Sequence, residues 1–113
     1  MNFKETQGLK KDSDFRKVYR HGKSIANRLL VMYTLPNKSK NNRVGISVSK
    51  KVGKANVRNK ARRRIKDSYR LNIDGNIKSG YDIVFIARIA IKDADYIDIE
   101  KAMKHLIKKA NLF

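Results

Sequence analysis

Apolar positions along the chain recur with two different periods. Leu29-Leu-Val-Met-Tyr-Thr-Leu35 is apolar in both side-chain sets, with Leu29, Val31 and Tyr33 on one and Leu30 and Met32 on the other. That pattern predicts a strand covered on both faces. The polar run Pro36–Asn42 then predicts a turn. Beyond it, Val44–Ser49 alternates, with Val44, Ile46 and Val48 directed inward and Gly45, Ser47 and Ser49 opposite. Tyr81–Ala87 predicts another buried strand, and a short one is placed at Ser24–Arg28. Three segments carry the longer, helical period. Asp14–His21 has the stripe Phe15, Val18, Tyr19, with Ser13 placed to cap it and Gly22 to end it. Asn56–Leu71 repeats Val57, Ala61, Ile65 and Tyr69 every four residues. Asp95–Ala110 aligns Tyr96, Ile99, Met103, Leu106, Ile107 and Ala110, with acids early and lysines late, as a helix dipole favours. The expected fold class is α+β, a single-domain α/β sandwich over residues 1–113 in the order helix, two or three strands, helix, strand, helix.

Composition narrows the function. The chain has 113 residues, no cysteine and a formal charge of +18. Without cysteine there are no disulfides, thiol nucleophiles, zinc ribbons or iron–sulfur clusters. No apolar stretch approaches the ~18 residues of a membrane span, and Met1–Lys11 has no apolar signal core, so a cytoplasmic location is expected. The charge is segregated. Residues 1–14 are neutral and residues 67–113 carry +1, whereas residues 15–66 hold seventeen Lys/Arg and no Asp or Glu. Like charge at that density repels itself unless a polyanion relieves it, which points to a nucleic-acid surface.

The densest region is Ser49–Lys66. On a helical wheel from Val57, the apolar stripe covers about 0–120°, and Asn59, Arg62, Arg63, Lys66 and Arg70 fall between about 140° and 240°. Arg58 and Lys60 lie on the borders. Arg64 sits near the apolar edge and must snorkel if it is to reach solvent. The outer strip is roughly 16 Å long, and its guanidinium groups can fork onto phosphate oxygens. Lys50, Lys51 and Lys54 extend it beside the helix N-terminus, which itself favours anions. Gly53-Lys54 is no nucleotide-binding loop, since no glycine stands five residues earlier and Ala55 replaces Ser/Thr. Phe15, Tyr19 and Tyr33 have two readings: ordinary core, or the wall and floor of a groove where single-stranded bases stack among Arg16, Lys17, Arg20, Lys23 and Arg28. His21 and His105 have basic neighbours, and Asp93, Asp95 and Asp98 read as helix-start residues. No catalytic set or metal site can be assembled, so neither is expected on this chain, and no cofactor.

Lys50–Lys66 closely resembles the signature of the protein subunit of bacterial ribonuclease P. Asp14–Gly22, Ala26–Arg28, Arg43–Lys50, Gly80–Arg88 and the last helix fit that family in the same order and spacing. The resemblance implies an αβββαβα fold with a left-handed crossover through the second helix. It implies assistance to a catalytic RNA that removes the 5′ leader from precursor tRNA, with Mg²⁺ held at the RNA's active site. Lys50, Lys51, Lys54, Arg58, Asn59, Lys60, Arg62, Arg63, Lys66 and Arg70 would then contact the RNA subunit. Phe15, Arg16, Tyr19, Arg28, Val31 and Tyr33 would hold the leader. Lys60 stands where the family usually has Arg, which keeps the charge but gives up the bidentate geometry. Partners would be the RNA subunit and the precursor leader, with no membrane and no obligate protein partner. Two alternatives stay open at this point: a basic ribosomal-type structural RNA-binding protein, and a protein-only endonuclease using His21, His105 or the late acids.

Overall fold

The computed structural model describes residues 3–113. The strands are β1 (Thr6–Gly8), β2 (Lys23–Ala26), β3 (Leu30–Pro36), β4 (Asn42–Ser47) and β5 (Tyr81–Ala87). The helices are α1 (Asp12–His21), α2 (Ala55–Asn72) and α3 (Tyr96–Lys109), with 3₁₀ turns at Lys50–Val52 and Ile89–Asp93. The strands form one sheet in the order β1-β4-β5-β3-β2. β5 lies at its centre, antiparallel to β3 and parallel to β4, and α2 is the crossover between those parallel neighbours.

Both sheet faces are covered, as the continuous apolar runs require. Met32, Val44, Ile83 and Phe85 join Ile65 and Tyr69 of α2 and Ile99, Met103 and Leu106 of α3 in the main core. On the other face Val84 packs with Val18 of α1 and Leu9, and Phe15, Tyr33 and Ile86 are only partly covered there. One ten-residue helix cannot seal that face, so part of the sheet stays open.

Several local expectations change. β1 is absent from the expected order, because three residues with polar neighbours carry no periodic signal. Tertiary contacts make it a strand. It pairs in parallel with β4, while the Asp74 carboxylate accepts from Lys4 N at 2.6 Å, Glu5 N at 3.1 Å and Thr6 Oγ1 at 2.7 Å. Thr6 also meets the buried Tyr69 hydroxyl at 3.0 Å. Burial pushes the Tyr69 phenol up to about 12, opposed by the Thr6 hydrogen bond and reinforced by Asp74. Ser13 does not cap α1: the helix begins earlier, its N-cap is Lys11 without a side-chain bond, and Asp12 and Asp14 answer the dipole instead. Gly22 does end α1, but in extended rather than left-handed geometry. It is glycine for lack of room, since a Cβ would lie 2.5 Å from Val18 O and 2.9 Å from Thr34 O. α3 begins as expected, with Asp95 and Asp98 forming a reciprocal capping box.

One cation of the acid-free span turns inward. Arg43 Nη2 meets Asp82 Oδ2 at 2.7 Å and Arg43 Nε donates to Oδ1 at 2.9 Å, while Nη1 reaches Asp14 of α1 at 3.5 Å. Asn37 donates to the same Asp82 Oδ1 at 2.9 Å. Asp82 is 2% exposed; burial raises its pKa, but the Arg43 and Asn37 hydrogen bonds and the Arg43 charge outweigh that and leave it lowered. A lowered folded pKa means stability that is full above the ordinary carboxylate value and lost as pH falls through the folded one. Arg43→Ala should therefore cost about 3–5 kcal/mol at neutral pH, by stranding a buried carboxylate. It should also remove much of the acid sensitivity below about pH 4, which urea unfolding as a function of pH will show.

Candidate nucleic-acid interface

Strand pairing defines the open part of the sheet. Ala26, Val31, Ile86 and Ser47 stand side by side across β2, β3, β5 and β4. The next row is Ser24, Tyr33, Val84 and Gly45, and it lies beneath α1. Phe15 is seated there by an absence of side chain: a Cβ on Gly45 would lie 2.5 Å from two atoms of its ring. The Phe15 and Tyr19 rings are 6.4 Å apart, and Tyr19 meets Tyr33 edge-on at 5.1 Å. Tyr19 remains 37% exposed, and Phe15, Tyr33 and Val31 are half-buried. Burial pushes the Tyr19 hydroxyl up, against the pull of the Ser47 hydroxyl, so it stays a neutral donor. Phe15 and Tyr19 therefore line an open cleft, and Tyr33, half-buried, packs against Tyr19 beside it.

A separate cavity lies past the end of the sheet. Arg28 sits exposed in the β2–β3 turn, whose shape is fixed by Asn27 Oδ1 accepting from Leu29 N and Leu30 N at 3.2 and 3.1 Å. Arg28 shares a cavity of ≈ 420 Å³ with Ser49, Lys51, Arg88 and Ile89. Arg88, Ile86 and Ser47 do not stand out in the sequence. The alternation within Tyr81–Ala87 puts Ile86 on the face of Val84, but only the register shows that this face is open at Ile86.

α2 presents its basic residues largely as its periodicity predicts. Asn59, Lys60, Arg63 and Arg70 are exposed, and Arg62 and Lys66 are half-exposed. Asn59 Oδ1 accepts from Arg62 Nη1 at 3.3 Å and so orients that guanidinium. Lys50, Lys51 and Lys54 are exposed at the α2 N-terminus, which has no side-chain cap and no acid in its first turn. Acids occupy the first turns of α1 and α3. α1 also has a lysine, Lys11, at its N-cap but answers it with acids, whereas α2 leaves its cations at the positive end of the dipole unanswered, an arrangement that suits a polyanionic occupant. Some basic side chains differ from expectation. Arg64 is half-exposed, and its Nη1 donates to Ala94 O at 2.7 Å and ties α2 to the turn before α3. Arg70 lies 3.8 Å from Asp67, a weak surface pair. Arg58 is half-buried, and its Nε has no hydrogen-bond partner among the described residues.

The two surfaces also meet. Arg62 lines a cavity of ≈ 470 Å³ together with Phe15, Arg16, Tyr19, Ser47 and Val48. A residue expected on the outer strip of α2 is thus at the rim of the aromatic cleft, because α1 and α2 flank the same end of β4. Among the described residues no three His, Cys, Asp or Glu side chains group as metal ligands would, and no helix is long and apolar enough to cross a membrane.

A single-stranded polyanion with flat bases is what such a site can hold, and comparison with known proteins gives it a family. The model of the family described as Ribonuclease P matches residues 3–111. The chain belongs to the ribonuclease P protein family. It is 65% identical to the ribonuclease P protein component of Clostridioides difficile, over 99% of this chain and 98% of that one. It is 56% identical to that of Clostridium botulinum (strain Langeland), over 93% and 95%. The fold matches the solved ribonuclease P protein of Staphylococcus aureus with TM-score 0.86 and 40% identity, covering 94% of this chain and 96% of that one. It matches that of Thermotoga maritima with TM-score 0.82 and 32% identity, covering 91% and 96%. Membership places the chain in the ribonuclease P holoenzyme, an endoribonuclease of tRNA 5′ maturation, with the RNA subunit as its partner.

The geometry separates two neighbouring arginines. Arg64→Ala should lower stability by about 1.5–3 kcal/mol, the usual worth of a charged hydrogen bond, and leave RNA affinity unchanged. Arg63→Ala should do the reverse. Thermal melts paired with RNA-subunit titrations will distinguish them.

Proposed function

We propose that this chain is a two-surface RNA clamp within ribonuclease P. The face of α2 from Asn59 to Lys66, with Lys50, Lys51 and Lys54, docks on the RNA subunit. The cleft of Phe15, Tyr19, Val31 and Tyr33, flanked by Arg16 and Arg28, holds the single-stranded 5′ leader of precursor tRNA. Stacking supplies affinity without demanding a sequence, since every base offers a π-face. Leader contacts exist only before cleavage, so the clamp favours precursor over mature tRNA. Its cations screen phosphate repulsion, and the reaction runs at Mg²⁺ ions held by the RNA, with no side chain here serving as acid, base or nucleophile.

The observation that carries this reading is Arg62 at the rim of the aromatic cleft, which makes one continuous surface of the leader groove and the helix face. Reconstitution with a cognate catalytic RNA at low Mg²⁺ tests it: the protein should stimulate precursor cleavage, and absence of stimulation would overturn the reading. Phe15→Ala should weaken precursor binding about five- to a hundredfold while sparing mature tRNA, from ~1–3 kcal/mol per stacked base. Arg62→Ala should weaken both assembly and precursor binding, whereas Arg63→Ala should weaken assembly alone.

A further inference from the structure

α1 has a second face of which the clamp uses only Arg16. Phe15, Val18 and Tyr19 point to the sheet, and the opposite arc carries Ser13, Arg16, Lys17, Arg20 and His21, all exposed. Arg16 and Arg20 are four residues apart, and Lys17 and Arg20 are three apart, so like charges stack along one side. Such pairs destabilise a helix, and none of these side chains enters an ion pair among the described residues. The contrast lies within the same molecule: α3 sets Glu100 3.5 Å from Lys104, and α2 sets Asp67 beside Arg70. Asp12, four residues before Arg16, sits in the first turn of α1 and enters no ion pair among the described residues, and the other near acids are engaged elsewhere. Asp14 faces Arg43, and the oxygens of Asp82, whose field Lys17 feels, are taken by Arg43 and Asn37.

These five residues line a shallow groove of ≈ 290 Å³, and Arg16 also lines the cleft cavity. The outer groove is therefore continuous with the cleft across a single guanidinium.

We infer that the outer face of α1 is a sequence-independent phosphodiester-binding ridge, which takes the leader where it runs out of the aromatic cleft. The inference rests on the cleft holding the leader. This face has cations but no Phe, Tyr or Trp among its lining residues, so it favours backbone over bases, and the ridge reads leader length and not leader sequence.

The test uses the reconstituted holoenzyme carrying Lys17→Gln and Arg20→Gln together, with mature tRNA, precursors whose leaders are trimmed to the cleft, and precursors with stepwise longer leaders. For long leaders the salt dependence of binding should become shallower by about 1.4 in log–log slope, ~0.7 for each single-strand phosphate no longer neutralised. Trimmed leaders and assembly with the RNA subunit should be unchanged. The melting temperature should hold or rise, because repulsion on α1 is relieved. An unchanged slope for long leaders overturns the inference. So does an equal loss at every leader length, or a loss confined to assembly with the RNA subunit, which would give the ridge another RNA. Phe15→Ala in the same series reports on the cleft separately: if it affects no leader length, the cleft assignment fails whatever the ridge variant shows.

Discussion

Asp82 is the one carboxylate that the rest of the structure is built around. It sits on the central strand, is almost wholly buried, and joins three elements through Arg43, Asn37 and, by way of Arg43, Asp14 of α1. A chain with a 52-residue span free of acids has few means of holding that span down electrostatically. Asp82 comes from outside the span and anchors its middle. Arg43 then passes the constraint to α1, where Phe15 directly follows Asp14, so the cleft wall is tied to the same ion pair that closes the sheet. An ion pair of this kind is weak evidence for net stability and strong evidence for geometry, because breaking it leaves a buried charge alone.

The remaining cations are spent differently, and the division decides which of them face RNA. Arg64 is committed to a backbone carbonyl and Arg43 to Asp82, so the folded state depends on both. Arg63, Lys60 and the lysines before α2 touch no acid among the described residues, and Lys50, Lys51 and Lys54 sit at the helix end where positive charge is unfavourable. The fold carries that repulsion as a standing cost, and RNA binding relieves it. Charge density alone does not separate these groups; the hydrogen-bond partners do.

How much of this is legible in the sequence differs by element. The strands and helices that bury apolar stripes fall within about two residues of where the pattern puts them, because period and burial carry the same information there. The Asp95–Asp98 cap is equally plain, since a capping box is local in sequence. β1 is hidden because Asp74, the residue that holds it, lies 70 positions from Lys4. The mistaken cap at Ser13 has a related cause: a hydroxyl there is a good cap only if the helix starts where the apolar stripe does, and Asp12 extends it. For the aromatic residues, periodicity leaves core and groove both open; Tyr19 is exposed, while Phe15 and Tyr33 are half-buried. The meeting of Arg62 with Phe15 cannot be read from either helix alone, because it depends on how both flank β4.

The brevity of β1 has a consequence for the free protein. It pairs with β4 only at Asn42, Arg43 and Val44, and the chain then leaves the sheet for α1. No described strand covers the outer edge of β4 from Gly45 to Ser47, and the cleft cavity opens there. An unpaired edge invites a strand from another molecule, the usual beginning of aggregation. Here Arg16 and Arg62 flank the gap. A second copy of so basic a chain would meet them as repulsion, whereas RNA meets them as attraction. The same two guanidinium groups thus serve as gatekeepers, keeping an open sheet edge soluble until its polyanion arrives.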